Sequence, residues 1–414
     1  MTSLEATPAH AATFDCTSGV SHSVGRGHPR LLLAAFTIGH MAQGLAFTAF
    51  VAALPQMARD LGERGEFVAQ MTIAVAALGL LVGALASGWI LERAGTRGTL
   101  LSSIVLFGIT GAGAMVLRNP AWLLSSRFAV GFAAATMTTT CLWGIAAEYS
   151  GNRRARAVGI ATSVGSLASF LATVVGGVLA QRNGWAFAFI QYPVFAVAAF
   201  ILASLSIRQI KPTQPAVGQR LEPYFARLLP FFVLASVLFL VMFMGSTQLA
   251  FLLQEDGIQN PAIRGPIMSM LTVISTLTSF AYGWIHQRLG PRGTYLGGLL
   301  SAALSLTLLG ASPSVVAAIV GASLLGVYVG LAAPYVYHTV TERTESSTRG
   351  RALGVVNAFG FFGGFLNPVI LAPLGKWIGI RGSFFAVAVL VALMALGTGL
   401  RRATPHPAAA GGPP

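Results

Sequence analysis

Acidic residues are scarce in this chain. Twelve Asp and Glu stand against 26 Lys and Arg, and charged residues make up only 9% of the 414. A soluble domain carries roughly 25% charge, so a soluble globular fold is excluded. No acid falls in the middle of an apolar run: Asp60, Glu63, Glu66, Glu255 and Asp256 lie at one set of run ends, and Glu92, Glu148, Glu342 and Glu345 at the other. The only two cysteines are Cys16 in a polar tail and Cys141 inside an apolar run, which is too few for a disulfide framework or a metal cluster. There is no Gly-x-x-x-x-Gly-Lys-Ser/Thr loop, which argues against direct ATP drive. There is also no His-x-x-x-His, and no Ser or Cys with a spaced His and acid, which argues against an enzyme. No cofactor and no metal are expected. The net charge of +14 does not point to nucleic acid, because the basic residues are spread through short loops instead of gathered on one face.

Apolar residues fill the place of charge, at 55% of the chain. From Leu31 onward they form runs of a length to cross about 30 Å of hydrocarbon as helices. The runs lie near 31–54, 68–90, 99–117, 121–146, 157–180, 185–207, 228–253, 265–285, 294–311, 314–338, 352–373 and 382–400. The fold class expected is all-α, with twelve transmembrane helices in two six-helix bundles. Residues 1–29 are small and polar without an apolar run, so they read as a disordered tail and not a signal peptide. Residues 30–208 would form the first bundle, 209–227 a linker marked by Pro212, Pro215 and Gly218, 228–400 the second bundle, and 401–414 a second tail.

The two bundles share sequence. Gly88–Leu101 (GWILERAGTRGTLL) and Gly283–Leu296 (GWIHQRLGPRGTYL) agree at nine of fourteen positions with an offset of 195 residues. Arg154–Gly159 and Arg349–Gly354 repeat in the same register. Internal duplication in so apolar a chain points to a transporter with its site between the halves. Eighteen basic residues collect on one side of the runs and seven on the other, with Arg127 inside a run. By the positive-inside rule both termini are cytoplasmic.

The loop Gly88, Glu92, Arg93, Gly95, Arg97 resembles the signature between the second and third spans of the major facilitator superfamily, with Glu in place of the usual Asp. Gly283, Gln287, Arg288, Gly290 and Arg292 form a weaker copy. Arg127 with Gly131 in the fourth span, and Gly176–Gly177 followed by Trp185 and Phe189, are similar to the drug:proton antiporter and sugar efflux branch. Ala172–Thr173 stand where many antiporters have Gly-Pro. The resemblance implies a multi-pass inner-membrane secondary transporter that works as a monomer, moves a small organic solute by alternating access and exchanges it for protons. Import of a small organic anion with protons is the alternative, and a transport-inactive sensor is the alternative from another class. The resemblance also places spans one, four, seven and ten around a central cavity, with two against eleven and five against eight at the interface.

Polar groups that interrupt the apolar runs are the candidate site, since burying them costs several kcal/mol unless they are paired or used. His40, Gln43, Arg127, Thr138, Gln248, Tyr328 and Tyr335 are the candidates for substrate contact. Arg127 either serves the cavity or snorkels outward past Trp122, and Tyr328 and Tyr335, seven apart on one face, are cavity wall or packing. Glu92, Arg93, Arg97, Glu148, Arg288, Arg292 and His338 are the candidates for gating and coupling. Glu148 either relays a proton or pairs with Arg153 or Arg156, and His40 is the candidate proton carrier. With no acid in mid-membrane, a neutral polar or anionic solute is expected over a cation.

Overall fold

The computed structural model describes residues 29–116, 119–206, 224–344 and 349–400. The tails and the body of the expected linker lie outside this set. Every regular element among the described residues is helical. The helices are α1 (Pro29–Thr48), α2 (Leu54–Asp60), α3 (Gly65–Val116), α4 (Pro120–Glu148), α5 (Gly151–Asn183), α6 (Gln191–Ser206), α7 (Tyr224–Thr247), α8 (Leu249–Glu255), α9 (Pro261–Ala311), α10 (Val315–Glu342) and α11 (Arg349–Leu400), with three short 3-10 turns between them.

Nine helical segments among the described residues are long and apolar enough to cross a membrane. Three of them fall on α3, α9 and α11, which run 52, 51 and 52 residues, more than twice the roughly 20 that a crossing needs. Each breaks at a glycine with positive φ: Gly95 (68°), Gly290 (68°) and Gly379 (77°). At Gly95 the Thr99 hydroxyl reaches back to the Ile90 carbonyl at 3.4 Å, so the chain reverses there. A side chain at such a φ meets its own backbone, which is why glycine stands at the turn. Counting the arms of each broken helix separately (65–94 and 96–116, 261–289 and 291–311, 349–378 and 380–400) gives twelve apolar segments among the described residues.

The 195-residue repeat is carried by the backbone as well. The six positive-φ glycines among the described residues pair at that spacing: Gly62 with Gly257, Gly95 with Gly290, and Gly184 with Gly379. The short helices α2 and α8 begin and end 195 residues apart, and α4 and α10 begin 195 apart. The start of each of these longer helices is capped, the Asn119 side chain accepting from the Ala121 amide and Ser314 from the Ala317 amide, which satisfies amides that the helix leaves unpaired.

Between the halves, α3 packs against α11 and α5 against α9. The glycines of the second span do not serve that interface. A Cβ on Gly79 or Gly83 would strike the carbonyl of Phe128 or Phe132 in α4, and one on Gly363 the Ser236 carbonyl in α7. These small residues seat helices inside each half. The interface has its own close approach, where Gly177 of α5 lies against the Pro261 carbonyl of α9.

Candidate functional site

A cavity of about 630 Å³ lies between the halves. One wall comes from the first half, with Gln43, Thr48, Thr138, Thr139, Thr162 and Ser166 among its residues, and the other from the second, with Phe239, Phe243, Ser246, Thr272, Tyr337 and Asn357. Helix direction fixes where it opens. The end of the bundle that carries Gly95 and Gly290 is called the motif end here, and the other the far end. Ala84, Thr162 and Asn357 line the cavity near the motif end and are exposed.

At the far end the halves are closed on each other. Gln70 and Gln248, both buried, exchange amide hydrogen bonds: Gln70 Nε2 donates to Gln248 Oε1 at 3.3 Å, and Gln248 Nε2 to Gln70 Oε1 at 3.0 Å. Gln70 Nε2 also donates to Glu66 at 3.1 Å. Nearer the surface Arg59 donates to Gln254 at 3.4 Å. Below the amide pair Phe47 and Phe243 meet edge to face, with ring centroids 5.3 Å apart. Within each half the same end is braced, by Trp185 donating to Asp60 at 2.7 Å and by Arg381 donating to Asp256. Burial raises the Asp256 carboxyl above its ordinary value despite the opposing pull of Arg381.

The candidates from the sequence separate on this frame. Gln43 and Thr138 line the cavity. The His40 side chain lies outside the described residues. Gln248 belongs to the far-end closure and not to the cavity wall. Tyr328 turns into the second half, where its hydroxyl donates to the Leu238 carbonyl at 2.7 Å, and Tyr335 stacks on Tyr295 at 4.9 Å. The tyrosine that faces the cavity is Tyr337, whose hydroxyl donates to Asn357 Oδ1 at 2.5 Å. Arg127 is fully buried and absent from the wall. Its guanidinium carbon lies 4.7 Å from the Phe189 ring centroid, 4.8 Å from Tyr192 and 5.6 Å from Phe50. Aromatic faces stabilise a desolvated cation, so the charge is held without reaching headgroups or cavity.

The candidates for gating lie at the motif end, in matching pairs. Arg93 stacks on Trp89 at 3.8 Å and Arg288 on Trp284 at 4.2 Å. Arg97 donates to the Ser204 carbonyl at 3.2 Å near the end of α6, and Arg292 to Thr398 at 3.1 Å near the end of α11. Each arginine thus meets carbonyls that a helix end leaves unpaired. Glu92 is half-buried among them and Glu148 is exposed. His338 lies 3.6 Å from Glu342, and its ring is 4.8 Å from that of His286, on which Tyr282 stacks at 5.3 Å. No group of three His, Cys, Asp or Glu among the described residues is arranged to hold a metal.

Sequence reasoning missed Tyr337, Asn357, Ser166, Ser169, Thr162 and Thr272 in the wall, and Gln70 in the closure. The polar residue types were a signal for most of them. Which face of its helix meets the cavity was not.

The Major Facilitator Superfamily model matches residues 36–275 and 261–413. The tetracenomycin C resistance and export protein of Streptomyces glaucescens is 29% identical over 186 residues, 44% of this chain and 34% of that protein. The multidrug resistance protein Stp of Mycobacterium tuberculosis (strain CDC 1551 / Oshkosh) is 28% identical over 36% of this chain and 28% of its own length. The match therefore spans about a third of each of these two relatives. The multidrug resistance protein MdtL of Escherichia coli O157:H7 (strain EC4115 / EHEC) is 21% identical over 67% of this chain and 72% of its own. Among solved structures, the inward-open xylose transporter XylE from E. coli superimposes with a TM-score of 0.68 at 15% identity, over 89% of this chain and 95% of that one. The nucleoside transporter NupG gives 0.69 at 14% identity, over 89% and 98%.

Proposed function

We propose, from the premise that this chain belongs to the Major Facilitator Superfamily, that it exports a small organic solute in exchange for protons by alternating access across the inner membrane. The observation that carries this reading is the cavity shared by two repeated halves, sealed at the far end and open at the motif end. With the termini cytoplasmic, as the basic residues favour, this is the inward-facing state, in which solute enters from the cytoplasm. The relatives named for resistance and export support the outward direction. One chain builds both walls, which supports a functional monomer with 30–208 and 228–400 as its moving halves and 209–227 as their tether.

Proton exchange is assigned to the cluster His286, His338 and Glu342 at the motif end, with Glu148 at the motif end of α4 in the first half. Among the described residues the cavity wall carries no acid, whereas this cluster joins two imidazoles to a carboxylate and leaves the buried Nδ1 of His286 without a hydrogen bond. The test is flux in inside-out vesicles. Solute should accumulate when the lumen is acidified and stop accumulating with a protonophore, and His338→Ala should uncouple accumulation from the gradient while exchange of solute for solute continues. Accumulation in right-side-out vesicles driven by an acidic exterior would instead establish the import reading.

A further inference from the structure

Resting on the transporter reading above, we propose that the solute is uncharged and two-faced: a flat aromatic or alicyclic body with hydroxyl or carbonyl groups along one edge. The two walls of the cavity differ in balance, the first carrying most of the hydroxyls and the second most of the aromatic rings. The first half offers hydroxyls and an amide. Thr162 and Ser169 donate to carbonyls of their own helix, at 3.0 and 2.9 Å, so their oxygens keep lone pairs for a donor on the solute. Thr138 does not do this. Its Oγ1 is buried at the wall and has no partner, and a hydroxyl held dry without an acceptor costs free energy that a solute carbonyl or ether would recover. The second half presents Phe239, Met242, Phe243 and Phe361, interrupted by Ser246, Thr272 and the Tyr337–Asn357 pair. A planar body fits such a surface.

None of the described residues lining the cavity carries a charge. Arg127, the buried cation of the fourth span, is enclosed by Phe50, Phe189 and Tyr192 and offers no counter-charge to an anion. An ion taken from water into this chamber gains hydrogen bonds and, if it is a cation, contact with aromatic faces, but no opposite charge, and that falls short of its lost hydration. A volume of about 630 Å³ lies within the range of pockets that enclose drug-sized ligands, about 300–1,000 Å³.

The experiment uses the full-length protein. Binding is read in detergent as protection against thermal unfolding, and transport in proteoliposomes as counterflow. Chloramphenicol, uridine and naringenin serve as neutral probes, ethidium as the planar cation and benzoate as the planar anion. At least one neutral probe should bind at least tenfold more tightly than either ion. Thr138→Val should weaken that probe about fivefold, the effect of one neutral hydrogen bond, with Thr138→Ser restoring it. Gln43→Glu should turn preference toward ethidium. Equal or tighter binding of ethidium or benzoate by the native chain, or no binding of any neutral probe, overturns the proposal. Binding of a neutral probe without counterflow removes the transporter reading and leaves the solute class supported.

Discussion

The far end and the motif end are built from one repeated sequence, yet they hold the halves in different ways. At the far end, besides the braces within each half, contacts run from half to half: Gln70 with Gln248, Gly177 against Pro261, and Arg59 with Gln254. At the motif end the named arginines bond within their own half, Arg97 to Ser204 and Arg292 to Thr398. In the alternating access proposed above, the first kind of contact must break for the cavity to face the other way. The second can persist through the movement, so it keeps each half rigid while the halves tilt. Neutral amides suit a contact that must break, because an amide pair releases little free energy compared with a buried ion pair and leaves no bare charge when it opens.

The largest effect is expected where the closure has no room. A Cβ on Gly177 would lie 2.4 Å from the Pro261 carbonyl oxygen, backbone that cannot turn aside. Gly177→Val should hinder far-end closure by about 3 kcal/mol, the upper range for overpacking, or roughly a hundredfold in population. In a Ser166→Cys background, an impermeant maleimide applied at the far end should then label the cavity. Unchanged labelling would show that this contact is not needed for closure.

Next comes a residue near the closed end that bears charge without bridging the halves. Arg127→Ala removes the cation from three aromatic faces and leaves a void. It should lower unfolding stability by about 2 kcal/mol, seen as a reduced midpoint in a detergent thermal-unfolding assay, while the probe selectivity of the surviving protein stays as in the native chain. A change of selectivity at native stability would return Arg127 to the cavity.

The amide pair tests reversibility. Gln70→Leu strands the Gln248 amide in a dry site and should weaken the closed state by about 1.5 kcal/mol, whereas Gln70→Leu with Gln248→Leu removes both polar groups and should recover most of that loss. The same labelling assay reads both. If the double variant opens further than the single one, the amides hold the closure individually and not as a pair.

The fold was legible in the residues and the site only in part, for a physical reason. Sterics at a turn are local: Gly95 and Gly290 are required by their own φ, so a repeat seen in letters reappears in the backbone. Apolar runs likewise announce helices. Three pairs of neighbouring segments follow each other with almost no loop between them, because the turn that separates each pair is one glycine wide. In lipid, however, the outward face of a helix is as apolar as its packed face, and periodicity no longer says which stripe looks inward. Tyr328 and Tyr335 do share a stripe, but it faces Leu238 and Tyr295 while Tyr337 faces the cavity. Gln248 stood out as a polar residue in an apolar run. Its partner, Gln70, lies 178 residues away, a distance that no local pattern spans. Thr138 and Gln43 were found because each shares a helix stripe with another polar residue, Thr138 with Arg127 and Gln43 with His40.

The smallest expected effects are at the motif end, and they bear on whether the two halves are mechanically alike. Arg97 and Arg292 occupy matching positions and meet matching carbonyls, yet Arg97 is exposed whereas Arg292 is half-buried. A cation at a helix C-terminus contributes about 0.3–1 kcal/mol at an exposed surface and up to about 2 kcal/mol when partly buried. Arg97→Ala should therefore cost less stability than Arg292→Ala, each by about 1 kcal/mol or less, and raising the salt concentration should shrink the first loss more than the second. Neither variant should change which end labels the Ser166→Cys cavity, because neither contact crosses between the halves. If Arg97→Ala did shift the labelling, the motif-end arginine would be taking part in a cross-half contact in the other state, and the division between contacts that break and contacts that persist would have to be redrawn around Glu92 and its neighbours.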